Sequence, residues 1–203
     1  MLIDFKILKA KYGIHAHGVF HVGMHKAEEY SIYKGNGVKT IIFVEANRDL
    51  AHAWKNEDDD CYVVHAAVSD KVEEVEFNIT NNGASSSILE LGDHSKIYPH
   101  IVNVGKIKMK TTTIDSINRK LGYNEQAWNV LHLDIQGAEL KALRGICDWR
   151  FIDAIFTEIN YREMYKGCAL EPEVSEFLKE KGFEKVEEVD TGCGWGDALY
   201  IRK

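Results

Sequence analysis

A run of about 18 apolar residues, the least that crosses a bilayer as a helix, occurs nowhere in this chain. Residues 1–11 mix Asp4 with Lys6, Lys9 and Lys11 and hold no apolar core of signal-peptide length. Cysteine is scarce. Cys61, Cys147, Cys168 and Cys193 form no C-x-x-C pair and no zinc-finger spacing with histidine. Cys61 and Cys147 lie in apolar surroundings, as buried free thiols do, which points to a reducing compartment. The expectation is a soluble, cytoplasmic protein with no membrane partner. Positive charge is also short: 25 Lys and Arg stand against 32 Asp and Glu, for a net charge of −7. Affinity for a nucleic-acid backbone comes mainly from Lys and Arg, so this balance argues against one as partner. Repeats, linkers and low-complexity segments are missing too, and 203 residues suit one α/β domain over 1–203 with a full core. The dinucleotide fingerprint G-x-G-x-x-G is absent, which weakens a nicotinamide cofactor without excluding it.

What is present is an alternation of apolar runs and helical patterns. Residues 1–17 read as a leading arm or helix. Residues 19–22 form a first strand, followed by a glycine turn at Gly23 and a helix from Ala27 to Tyr33 that stops at Gly35-Asn36-Gly37. Residues 40–44 are continuously apolar, as in a parallel strand covered on both faces, and end at Glu45. A helix over 48–55 has Asn47 as its N-cap, a polar turn covers 56–60, and 62–67 is a third strand. The fourth and fifth strands, 128–133 and 151–157, end at Asp134 and Glu158. A helix with Pro172 in its first turn covers 173–181, and 183–189 with 198–202 closes the chain as a hairpin. Alternating strands and helices give a doubly wound, mostly parallel α/β sheet; the C-terminal antiparallel hairpin adds one antiparallel strand at its edge. Residues 70–112, between strands three and four, do not fit the alternation. Lys106, Lys108 and Lys110 read there as a solvated strand edge. Insertions of this length are usually functional or disordered, and this one reads as a substrate flap.

Polar residues collect where the apolar strands end: His21, Gly23, Glu45, His65, Asp134, Gln136, Glu158 and Asn160. In open α/β sheets that rim holds the ligand. A carboxylate ending the second strand, Glu45, is placed to accept both hydroxyls of a ribose. Glu139 lies in the first turn of a helix and reads as structural. Asp134, Glu158 and Asn160 offer oxygen ligands of the kind that suits magnesium, yet nothing in their spacing sets a geometry, and no metal is expected. His15-x-His17 and His21-x-x-x-His25 are neighbours in sequence only, so no zinc site is expected either. Trp195, Tyr161, Tyr165 and Tyr98 are candidates for an aromatic wall.

Five segments in order resemble the FkbM family of S-adenosylmethionine-dependent methyltransferases. They are Val19-Phe20-His21-Val22-Gly23, Ile42-Phe43-Val44-Glu45-Ala46-Asn47, the serine-rich Ser85-Ser86-Ser87 with Thr111-Thr112-Thr113-Ile114-Asp115, Leu131-His132-Leu133-Asp134-Ile135-Gln136-Gly137-Ala138-Glu139-Leu140, and Gly194-Trp195-Gly196-Asp197-Ala198-Leu199-Tyr200. The resemblance implies a class I methyltransferase (Rossmann-like) fold and S-adenosyl-L-methionine as cofactor. It also implies methyl transfer to a hydroxyl oxygen of a sugar or another small-molecule acceptor. By position, Gly23 and Met24 line the methionine part, Glu45 holds the ribose with Ala46 beside it, and Ala66 and Ala67 flank the adenine. Asp134 sits near the transferring methyl. His21 stands where the family commonly has Asp, and Ala27 where it has a second glycine, so the cofactor's amino group falls to Glu28 or Asp134. The family also carries an acidic residue where Gln136 stands. An alcohol acceptor needs a base as its proton leaves; Asp134, His132 and Glu158 are the candidates, with His65 behind them. Ser86, Ser87, Asn160 and Trp195 are assigned to the acceptor. Two further readings stay open: a nucleotide- or S-adenosylmethionine-binding module without turnover, and a nucleic-acid methyltransferase. Oligomeric state is not legible.

Overall fold

A computed structural model describes residues 1–54, 58–122 and 127–203. The chain enters through a short helix, α1 (Ile7–Tyr12), and then β1 (Gly18–Val22), α2 (Tyr30–Gly35), β2 (Thr40–Glu45), α3 (Arg48–Ala53) and β3 (Cys61–His65). The expected cap of α3 is present: the Asn47 side chain accepts the Asp49 N–H. The last residue of the expected helix, Lys55, and the start of the following turn lie outside the described residues.

The third strand is shorter than the apolar run suggested. It breaks at Ala66, and Ala67 restarts as β4 (Ala67–Val68) in a different sheet. There β4 joins β5 (Glu74–Thr80) and β6 (Asn103–Thr112), with β6 in the middle and the short helix α4 (His94–Ile97) between them in sequence. Thus β6 is not an edge strand along its whole length. Its partner β4 reaches only Thr111 and Thr112, and Lys106 to Lys110 have a neighbour on the β5 side alone.

The chain returns to the main sheet through α5 (Ile114–Leu121), β7 (Val130–Leu133), α6 (Glu139–Arg144), β8 (Ala154–Asn160), α7 (Glu171–Glu180), β9 (Phe183–Asp190) and β10 (Trp195–Arg202). Seven strands lie in the order β3-β2-β1-β7-β8-β10-β9. Those from β3 to β8 are parallel, and β10 runs against both its neighbours. The single antiparallel strand is therefore internal, between β8 and the edge strand β9, not at the edge. The hairpin turn lets β10 double back into the gap beside β8, where both of its backbone edges find partners.

Side chains alternate across this sheet. Phe20, Ile42, Leu131 and Ile155 face a core shared with α5, α6 and α7. Val19, Phe43, Val130 and Phe156 face the opposite core, closed by α1 and by Tyr33 of α2. His21, Glu45, His132, Asp134 and Glu158 share the parity of this second set. The two layers, each covered by helices, leave the carboxyl ends of β1, β2, β7 and β8 as an open rim.

Candidate active site

A cavity of about 570 Å³ runs along that rim, a size ordinary for a small-molecule site. One end is built largely from backbone. Gly23 has φ +93°, and a Cβ there would lie 1.8 Å from the Asp134 carbonyl oxygen. β1 and β7 approach this closely only because the side chain is missing. The Gly23 N–H donates to Val44 O at 2.9 Å. The next residues stay left-handed at intervals, His25 at φ +49° and Ala27 at φ +57°. That path delays α2 to Tyr30, so the expected helix start at Ala27, with open N–H groups, is replaced by a turn. It also explains why a glycine would suit position 27: an L-residue there is strained.

Glu45 ties this turn down. Its Oε2 accepts the His25 N–H at 2.8 Å and its Oε1 the Asn47 N–H at 2.7 Å. Burial raises its pKa, and those backbone donors oppose the rise. Each oxygen can accept a second hydrogen bond, and Glu45 lines the cavity. Met24, Glu28, Ala46, Ala66 and Ala67 line the same end. Glu28 Oε1 pairs with His25 Nδ1 at 2.8 Å.

The other end is made of side chains from distant segments. Asp134, Gln136, Glu158, Glu29 and Asp197 line it, with Tyr98, Tyr165 and Trp195. Gln136 Nε2 donates to Asp134 Oδ1 at 2.7 Å and to Glu158 Oε2 at 2.8 Å. Burial pushes the Asp134 carboxyl up to about 6, with the Gln136 donor pulling the other way. Glu158 is raised further, first by burial and then by the charge of Asp134. The Met1 amino group donates to Glu29 Oε1 at 3.2 Å, and the Leu2 N–H donates to Asp197. Below the rim, Glu139 Oε1 accepts the N–H groups of Ile135 and Gly137, which fixes the turn after β7.

Several expected site residues lie elsewhere. His21 and His132 do not reach the cavity wall; they are 1% and 3% exposed. Their rings stack at 4.0 Å, and both Nδ1 atoms meet the Tyr33 hydroxyl, at 3.1 and 2.6 Å. One hydroxyl can donate to only one of them, so the two imidazoles hold different tautomers. Burial drives His21 down to about 4 and His132 well below its ordinary value. Both are neutral, satisfied groups inside the α1–α2 core, one layer beneath Asp134. Asn160 is buried at 1% exposure behind the wall, and Tyr161 bonds to Glu188 outside it. His65 is exposed and pairs with the Ala46 carbonyl at 3.1 Å. Ser86 and Ser87 do line the cavity, but their hydroxyls are engaged. Ser86 Oγ accepts the Thr80 N–H at 3.1 Å, and the Ser87 hydroxyl donates to Gln136 O at 2.8 Å. Trp195 lines the wall and donates through Nε1 to the Tyr98 hydroxyl at 3.1 Å. Among the described residues no group of three or more His, Cys, Asp or Glu is arranged to hold a metal ion.

Glu29, Asp197 and the bridging part of Gln136 escaped the sequence reading. Asp197 was detectable in principle: it alternates with apolar residues on a strand paired to Glu158.

Residues 21–185 match the methyltransferase FkbM domain. The chain belongs to the FkbM methyltransferase family. Its cofactor is S-adenosylmethionine, and its activity is methyl transfer. No curated protein matches this FkbM chain by sequence. Solved structures share its fold at low identity. A ribosomal protein L11 methylase from Lactobacillus delbrueckii subsp. bulgaricus superposes with a TM-score of 0.50 at 11% identity, covering 98% of this chain and 75% of its own. A TehB-like SAM-dependent methyltransferase from Corynebacterium glutamicum gives 0.50 at 10%, covering 100% and 89%. A putative methyltransferase, yhhF, from Escherichia coli gives 0.50 at 11%, covering 98% and 82%. The seven-stranded sheet is the class I methyltransferase (Rossmann-like) one. No helix among the described residues is long and apolar enough to cross a membrane.

Proposed function

We propose that this FkbM methyltransferase methylates a hydroxyl oxygen of a small, uncharged acceptor such as a sugar. The observation that carries the reading is the charge of the cavity. Its wall holds Glu28, Glu29, Glu45, Asp134, Glu158 and Asp197, and no Lys or Arg among the described residues. A cationic sulfonium fits such a wall. A phosphorylated acceptor or a nucleic-acid backbone meets like charge there, and the Met1 amino group that also lines the wall is paired with Glu29.

The donor set suits the cofactor. Glu45 takes the ribose hydroxyls on its free acceptor sites, the Gly23–Met24 turn takes the methionine part, and Ala66 and Ala67 leave room for the adenine. Glu28 or Asp134 is the carboxylate for the amino group. When bound, S-adenosylmethionine supplies a methyl group already activated for transfer. The chain's own tasks are then alignment and one proton. Asp134, with its carboxyl near 6, is a base of suitable strength at neutral pH. The Glu158 carboxyl beside it is raised well above the ordinary carboxylate range, by burial first and then by the charge of Asp134. Tyr98, Tyr165 and Trp195 provide flat apolar faces for a ring, and residues 70–112 cover that end as a flap.

Purified protein with S-adenosylmethionine should form S-adenosylhomocysteine on some neutral hydroxylated acceptors, and not on sugar phosphates or RNA. Turnover on RNA alone would overturn the acceptor class. Cofactor binding without turnover on any hydroxylated compound would favour a binding module.

A further inference from the structure

Gln136 stands at a crowded turn of the acceptor end. Its φ is +58°, a left-handed value that an L side chain adopts only under constraint. Gly137 follows at φ +93°, and a Cβ there would meet Tyr165 Cβ at 2.8 Å and Cys168 Cβ at 2.9 Å. The two residues turn the chain sharply between β7 and α6 and send the Gln136 side chain across to β8. A carboxamide has two N–H donors and one carbonyl acceptor. All find partners here: Nε2 reaches Asp134 Oδ1 at 2.7 Å and Glu158 Oε2 at 2.8 Å, and Oε1 accepts the Tyr165 hydroxyl. The Gln136 backbone carbonyl accepts the Ser87 hydroxyl at 2.8 Å. One residue thus links the ends of two strands, the segment after β8 and the serine loop.

We infer that Gln136 is a positioning residue for methyl transfer. Its uncharged carboxamide holds the Asp134 and Glu158 carboxyl groups together at one point of the wall, where a third carboxyl would drive them apart. An ionised glutamate of the same length has no N–H to offer either partner. The surroundings would not neutralise it. Glu139 of α6, Asp197 of β10 and Glu29 ahead of α2 are further acids acting on the pair, Tyr165 presents a hydroxyl, and the Met1 amino group is the one cation among them. The inference rests on the cavity being the methyl-transfer site.

The test compares S-adenosylmethionine with S-adenosylhomocysteine by calorimetric titration across pH. Only the first carries a sulfonium charge, so the ratio of affinities reports the placement and ionisation of the nearby carboxyls. Gln136→Glu should move the pH midpoint of that ratio upward by about one unit. Gln136→Met should lower the ratio about tenfold at neutral pH. Tyr165→Phe, which frees the amide without adding charge, should lower it in the same direction by less. Melting of the ligand-free proteins gives an independent arm. The carboxyl introduced by Gln136→Glu has a folded pKa above its unfolded value, so this variant should lose stability against wild type as pH rises. Folded variants with the wild-type ratio, midpoint and melting profile would overturn the inference. If wild-type protein binds neither compound, the functional reading fails, and the melting arm alone decides the part about Gln136.

Discussion

The two ends of the cavity are built on different principles. The end proposed for the cofactor is local and mostly backbone: β1, the Gly23 turn, β2 and Glu45 span residues close in sequence, and Glu45 fastens the turn through the N–H groups of His25 and Asn47. The end proposed for the acceptor is assembled from residues near 85, 98, 134, 165 and 195, and its contacts run between side chains. The first kind of site tolerates little change. The second is where one fold takes on different acceptors.

Substitutions sharpen that contrast. The largest effect should come from Gly23→Ala. The added Cβ has no space against Asp134 O and the residue is left-handed, so stability should fall by about 3 kcal/mol or more. Thermal unfolding and S-adenosylmethionine titration should show both fold and binding damaged. A mild effect would mean that β1 and β7 can separate.

Glu45→Ala should follow. It removes the proposed ribose acceptor and two backbone anchors, and S-adenosylmethionine binding should weaken tenfold or more, about 1.4 kcal/mol. Unchanged affinity would remove Glu45 from the site.

An intermediate effect is expected from pH. Asp134 has a folded pKa near 6, above its ordinary value. Its ionisation therefore costs stability in the free protein as pH rises through that value, and a bound cation recovers it. S-adenosylmethionine affinity should strengthen from about pH 5 to pH 7. A flat titration would place Asp134 away from the sulfonium.

At the acceptor end, Trp195→Ala should shift S-adenosylmethionine affinity by no more than about twofold, as distant independent sites do, while lowering turnover on an acceptor. A large loss of cofactor affinity would show that the two ends are not separable. The smallest effect belongs to Ala27→Gly, which relieves a left-handed alanine and should raise stability by about 0.5 kcal/mol.

The same division explains what was legible in the sequence. Continuous apolar runs marked β1, β2 and β7, and the polar residues after them marked the rim, because both signals are local. His21 looked like a rim residue for the same reason, and His132, two residues before Asp134, like a candidate base. Their partner, Tyr33, belongs to a separate helix, and no local pattern announces that one hydroxyl satisfies two distant imidazoles. The break at Ala66 was hidden because Ala67 and Val68 are as apolar as the strand before them, and only the second sheet draws them away. The terminal hairpin was visible, but strand order was not. Pairing β10 with both β8 and β9 is a choice among edges that all looked alike in sequence. The clamp at Gln136 needed the left-handed turn and β8 together, which residue type alone does not reveal.

The most direct test is calorimetric titration of the purified protein with S-adenosylmethionine and, separately, with NAD. Micromolar binding of the first and none of the second is the result predicted from the Gly23 turn, Glu45 and the acidic wall. Binding of NAD, or of neither, would contradict the cofactor assignment on which both ends of the cavity have been interpreted.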